Sequence, residues 1–173
     1  QRYGSNTAQS GRHVVADNDG NAIISGRYSG SLLVAGGEAA TDDLFVFRAE
    51  AGGGLGGWRE GFPGDWFLHD LAADAKGSSI MAGRFTGLAQ VGDGSINGTG
   101  PADLFVIKLS AAGDVAWAKS FGGPTFQPAI SAATSGASVI ADSNGNILIS
   151  TRGKGTVSFG GEELGKVGEV SEF

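Results

Sequence analysis

Asp17-Asn18-Asp19-Gly20-Asn21 places side-chain oxygens at alternate positions, the spacing with which a short loop gathers calcium, so Asp17, Asp19 and Asn21 are candidate metal ligands. A hard cation wants about six to eight oxygens. The glutamate that closes an EF-hand loop is absent, and the matching stretch Asp74-Ala75-Lys76-Gly77-Ser78 carries a lysine where the second ligand would stand. The competing reading is an Asp-capped turn, the carboxylate bonding its own backbone. Arg27, Arg84 and Arg152 each lie ten residues after Asp17, Asp74 and Asp142. Such a repeated cation either lines a surface for an anionic ligand or makes a repeated structural ion pair to a neighbouring unit.

Trp66-Phe67 has no aromatic counterpart in the third copy of the pattern described below. It would serve as a stacking platform for a sugar, as an anchor for a protein partner, or as packing of a connection. His13 and His69 are the two histidines. His69-Asp70, with Asp65 close by, brings acid–base groups together, and paired carboxylates at Asp65 and Asp70 are the residue types of glycoside hydrolysis. No Gly-x-Ser-x-Gly nucleophile motif and no metal-binding histidine pair accompanies them. The expected function is therefore non-catalytic, with a glycan-processing enzyme using Asp65 and Asp70 as the alternative. Gly52 to Gly57 and Gly92 to Gly100 lack the Gly-Lys-Ser/Thr ending of a phosphate loop and read as turns and loose loops.

These residues sit on a repeat with a period of about sixty residues. Ala16 to Arg27 recurs as Ala73 to Arg84 and as Ala141 to Arg152; Asp43-Leu44-Phe45-Val46-Phe47-Arg48 recurs as Asp103-Leu104-Phe105-Val106-Ile107-Lys108; Trp58 to Phe62 recurs as Trp117 to Phe121. The first block is a hairpin, two apolar stretches around an Asp-x-x-Gly turn. The second is a short continuous apolar strand bounded by Asp and a cation, buried on both faces. The third alternates, with Val115 and Trp117 on one side, Ala116 and Ala118 on the other, and Trp58 and Trp117 in the core. Each unit thus predicts four strands, A to D. Extra length falls between B and C, at Gly30 to Thr41 and Gly87 to Pro101, and before the third strand A, at Pro124 to Ser138.

The composition agrees. Glycine fills 32 of 173 positions without a three-residue period, as many short strands with tight turns require. There is no cysteine, which removes disulfides, thiolate metal sites and a cysteine nucleophile together. A net charge of −6 with no Lys/Arg cluster argues against nucleic acid, and no apolar run approaches the roughly 20 residues of a spanning helix. No metal or organic cofactor is expected beyond the calcium considered above.

Trp117-Ala118-Lys119-Ser120-Phe121-Gly122-Gly123, then Val139 to Ser150, then Gly155-Thr156-Val157-Ser158-Phe159-Gly160-Gly161, resemble the bacterial β-propeller repeat proteins abundant in myxobacteria. The resemblance covers nearly the whole chain, departing at Leu55-Gly56-Gly57 and in the tail after Leu164. It implies a secreted or cell-surface propeller, placed outside the cell, at its surface or in the periplasm, and implies no particular reaction. The expected fold is all-β: one domain over 1–173, an array of about three four-stranded antiparallel blades with units at 5–62, 63–121 and 122–173. Tyr3-Gly4 matches the end of a strand D, and Val167 to Phe173 reads as a degenerate strand C, so the expected ring is incomplete. Expected partners are a protein or another copy of the chain, with a glycan as a further possibility.

Overall fold

The computed structural model describes residues 9–29, 32–34, 37–39, 43–53, 59–128 and 136–172, and among them there is no helix. Tyr3, Gly4, Leu55-Gly56-Gly57, Trp58 and residues 129–135 of the Pro124 to Ser138 insertion lie outside the described residues. The first unit contains β1 (Gln9–Ala16), β2 (Ala22–Tyr28), β3 (Leu32–Val34), β4 (Gly37–Ala39), β5 (Asp43–Ala49) and β6 (Arg59–Pro63). β1, β2, β5 and β6 form a four-stranded antiparallel sheet in that order, and β3 and β4 pair as a separate hairpin between the second and third strands.

The second unit repeats this plan. β7 (Trp66–Ala73), β8 (Ser79–Phe85), β11 (Asp103–Leu109) and β12 (Val115–Phe121) make the sheet, and β9 (Leu88–Val91) pairs β10 (Gly94–Asn97). The expectation of a loose loop over Gly92 to Gly100 is thereby corrected, since Gly94–Asn97 is one arm of a hairpin closed by the turn at Gly92, whose φ is 57°.

The third unit has β13 (Gln127–Pro128), β14 (Ala137–Ala141), β15 (Ile147–Ser158) and β16 (Glu163–Glu172). Here the second strand and the hairpin fuse. β15 pairs β14 along its first half and β13 beyond it, with β16 on its other edge. Glu172 lies opposite Arg152 as Leu104 lies opposite Arg84, so β16 reaches the register of a third strand only at its end. None of the sheets closes into a barrel.

The A–B turn is built identically three times. Asp17 N–H bonds to the Asn21 carbonyl and Gly20 N–H to the Asp17 carbonyl, and the same pair of bonds recurs at Asp74 and at Asp142. The glycine that closes each turn, Gly20, Gly77 or Gly145, has φ between 76° and 87°, a conformation that costs any other residue strain.

Alternation along the strands gives each sheet two apolar faces. Ile23, Leu44 and Val46 of the first sheet share one buried cluster with Leu71, Met81 and Phe105 of the second. Ile80, Leu104 and Val106, on the other face of the second sheet, share a second cluster with Ala137, Val139 and Val157 of the third. The middle sheet is therefore buried on both sides, which is why β11 reads as an unbroken apolar run. Each fully buried large apolar side chain in these interfaces contributes about 1.5–3 kcal/mol.

One expectation fails at β12. Lys108 pairs Trp117 but Leu109 pairs Val115, leaving Ala116 as an extra residue. This bulge resets the alternation. Val115 and Ala118 pack on the cluster shared with the first sheet, and half-buried Trp117 packs on the one shared with the third.

Candidate functional site

The first strands of the three sheets are neighbours, β7 touching both β1 and β14. On β7, the half-buried ring of Phe67 is flanked by two guanidinium groups, with Arg12 Cζ 4.9 Å and Arg84 Cζ 5.1 Å from its centroid. Both distances fall within cation–π range. The His69 ring lies 4.9 Å from the same centroid.

Local folding explains how these groups converge. Arg84 is the direct cross-strand partner of Phe67. Arg12 and His69 are each the unpaired residue of a bulge, between Gly11 and His13 in β1 and between Leu68 and Asp70 in β7. The two bulges stand at equivalent repeat positions, and a bulge turns its extra side chain out of the normal alternation. The equivalent residue of the third sheet, Ala137, pairs regularly with Thr151.

His69 Nδ1 accepts a hydrogen bond of 3.1 Å from the Gly136 N–H, which leaves the ring neutral with its proton on Nε2. Burial lowers the His69 pKa first, and the charges of Arg84, His13 and Arg12 add to it, bringing it to about 4. Nε2 of His69 and Nε of Arg84 are both buried and without a hydrogen-bond partner. Two unanswered N–H donors, one on the His69 ring and one on the Arg84 guanidinium, thus stand with the Arg12 guanidinium around Phe67 in a chain of net charge −6. Unmet buried donors are costly, about 1–3 kcal/mol each.

Asp70 holds the site together. Its carboxylate accepts from the Leu71 N–H at 2.9 Å, the Ser138 hydroxyl at 2.8 Å and the Val139 N–H at 2.9 Å, fastening β14 to β7. Asp65 is exposed and accepts from the Thr86 hydroxyl at 3.3 Å. The two carboxylates have separate partners.

Trp66 is corrected. Its side chain is fully buried, its Nε1–H bonds to the Pro63 carbonyl at 2.9 Å, and its ring stacks on Phe85 at 5.4 Å and meets Phe105 edge-on at 4.9 Å. It offers no face to a ligand. Phe67, one residue on, points to the opposite side of the strand and lies in the site.

The three repeated arginines hold equivalent positions on three different sheets. Only Arg84 reaches the Phe67 cluster; Arg27 is half-buried on β2 and Arg152 exposed on β15. A repeated ion pair is made by the cation ending the third strand of the first two sheets. Arg48 Nη2 lies 3.1 Å from Asp17 and Lys108 Nζ 2.8 Å from Asp74.

The same bonds bear on the calcium reading of Asp17, Asp19 and Asn21. Asp17 accepts from the backbone N–H groups of Asp19 and Asn21 and from the Asn21 side-chain amide, besides pairing with Arg48. The Asn21 side-chain oxygen accepts from the Ala51 N–H, and the Asp19 carboxylate points to solvent. The side-chain oxygens of Asp17 and Asn21 are thus engaged by the turn and its neighbours, and that of Asp19 is not. Among the described residues, no three His, Cys, Asp or Glu side chains gather as a metal site, and no helix is long and apolar enough to cross a membrane.

No protein-family model matches this chain, and no curated protein does. Its functional reading therefore stands on the geometry around Phe67. Sequence reasoning found Phe67 and Arg84, grouped His69 with Asp70 and Asp65 instead of with Phe67, and did not single out Arg12. The available signal was that Arg12 and His69 are basic residues at matching repeat positions.

Proposed function

We propose that this chain is a non-catalytic binding module of β-propeller-like architecture, secreted or surface-exposed, that holds an anionic group of a protein or glycan partner against Phe67. Three units, two of them matching four-stranded meanders, packed face to face with their first strands adjacent, support the propeller-like arrangement. The observation that carries the binding reading is the pair of buried, unanswered donors, His69 Nε2 and Arg84 Nε, in a cluster that sets two guanidinium groups around the Phe67 ring.

A carboxylate or sulfate fits this set because a guanidinium group pairs two oxygens of an oxyanion through charge-assisted bonds, and the aromatic face packs against whatever carries the group. The cluster is poorly placed for acid–base chemistry. His69 stays neutral far below neutral pH and its Nδ1 is already bonded, while Asp70 is committed to three donors.

The test is NMR of the His69 imidazole during titration with inorganic sulfate and, separately, with a uronic-acid oligosaccharide. A bound anion favours the imidazolium, so the His69 pKa rises from about 4. Arg84→Gln removes most of that rise, and Arg152→Gln, on the exposed part of β15, leaves it in place. A His69 resonance unmoved by saturating anion of either kind would refute the proposal.

A further inference from the structure

Each sheet of this chain carries two complementary apolar faces, and the chain shows twice how they meet. On the leading face, the cross-strand pair Val15 and Ile23 of the first sheet lies under β7, and the equivalent pair Ala72 and Ile80 of the second lies under β14. In the third sheet the same two positions are Ile140 and Leu148, again direct cross-strand partners, and they are 59% and 52% exposed where Ile23 and Ile80 are 0%. On the trailing face, Leu71 and Val139 are 4% and 3% exposed beneath the preceding sheet, whereas their equivalent in the first sheet, Val14, is 68% exposed. Three of the five exposed large apolar residues among those described are thus the open halves of an interface the chain has already built twice. The match extends to the strands. In both internal interfaces it is the first strand of the following sheet, bearing Leu71 or Val139, that covers the first two strands of the preceding one.

We infer that a second copy of this chain docks head to tail, its β1 laying Val14 over Ile140 and Leu148 on β14 and β15. The occupant is fixed by continuity with the internal interfaces, since the surface is the one that β7 and β14 cover elsewhere. A contact of this kind joins two different patches, so one copy keeps a free leading face and the other a free trailing face. The inference is independent of the anion site and holds whether or not Phe67 binds a ligand.

Sedimentation velocity over a concentration series tests it. Wild type associates with rising concentration. Val14→Glu and Leu148→Glu, both at exposed positions, each sediment as monomer. Because Val14→Glu keeps a sound leading face and Leu148→Glu a sound trailing face, an equimolar mixture of the two restores a dimer and goes no further. Unchanged urea midpoints for both variants show that the fold is intact. Three outcomes would overturn the inference: wild type monomeric throughout, association surviving either single variant, or a mixture that stays monomeric. The second of these would indicate a different partner surface, including a leading-face-to-leading-face dimer if only Leu148→Glu dissociates.

Discussion

Asp74→Asn isolates the charge of one buried ion pair from the turn that surrounds it. Asparagine keeps a side-chain oxygen for the Lys76 and Ser78 N–H groups, both 2.9 Å from Asp74 Oδ1, so the hairpin turn survives. The lost element is the countercharge of Lys108, whose side chain is 19% exposed and whose Nζ lies 2.8 Å from the carboxylate. Removing one partner of a buried pair costs about 3–5 kcal/mol, and the partial access of Lys108 to water places this variant near about 3 kcal/mol. Asp17→Asn costs less, because Arg48 keeps the Ala111 carbonyl at 3.3 Å and Asp19 at 4.0 Å. Asp142→Asn changes least: among the described residues no cation pairs with Asp142, which serves only the turn. Urea unfolding at neutral pH, read as midpoint and slope, ranks the three.

The same pair predicts an acid limb. Burial pushes the Asp74 carboxyl up, but the hydrogen bond and charge of Lys108 and the turn N–H groups outweigh it, and the folded pKa lies below the ordinary value of 3.8. The unfolded state therefore takes up a proton first as pH falls. The stabilisation is fully present above 3.8 and is lost as pH drops through the folded value, so Asp74→Asn should flatten the acid limb in that range. If Asp74→Asn and Asp142→Asn move the midpoint equally, Lys108 is not held by Asp74 and the reasoning fails.

Two further substitutions probe the packing. Gly83→Ala puts a methyl group against the Phe67 carbonyl and 2.8 Å from Phe105 Cε1, and is expected to cost about 2 kcal/mol through overpacking, whereas Gly11→Ala, with nothing within 4 Å, is neutral by the same thermal melt. Trp66→Ala should cost about 3–5 kcal/mol as a core cavity and leave the anion response of His69 intact; a selective loss of that response with unchanged stability would return Trp66 to the binding site.

The periodic features of this fold were readable in the sequence, and the aperiodic ones were not. Asp17, Asp74 and Asp142 with their glycines announced the three hairpin turns, and Leu44 to Phe47 and Leu104 to Ile107 announced strands buried on both faces. Bulges escaped because an extra residue changes which face a side chain takes without changing the composition of the strand. That single effect hid Arg12 and His69 and reversed the expected side of Trp117. For Trp66 the sequence left a stacking platform, a partner anchor and packing of a connection open together, because an aromatic pair without a counterpart in the third unit fits all three. The structure uses it to fill the interface between the first two sheets, against Phe62 and Phe85. The ion pairs of Asp17 and Asp74 were not singled out in the sequence, since Arg48 and Lys108 approach the turn from a neighbouring strand and not along its own hairpin.

The small bonds between successive turns set how stability is distributed along the chain. Asn18 donates to the Ala75 carbonyl and Arg48 to the Ala111 carbonyl, so the turns ending the first sheet grip those of the second, alongside the apolar cluster beneath. Coupling is thus between nearest neighbours, and the middle sheet receives it from two sides. Amide protection should peak in β8 and β11 and decline outward. Because every sheet offers the same pair of faces, units can be duplicated or deleted without redesigning those that remain, which makes the number of units a variable that gene duplication can adjust.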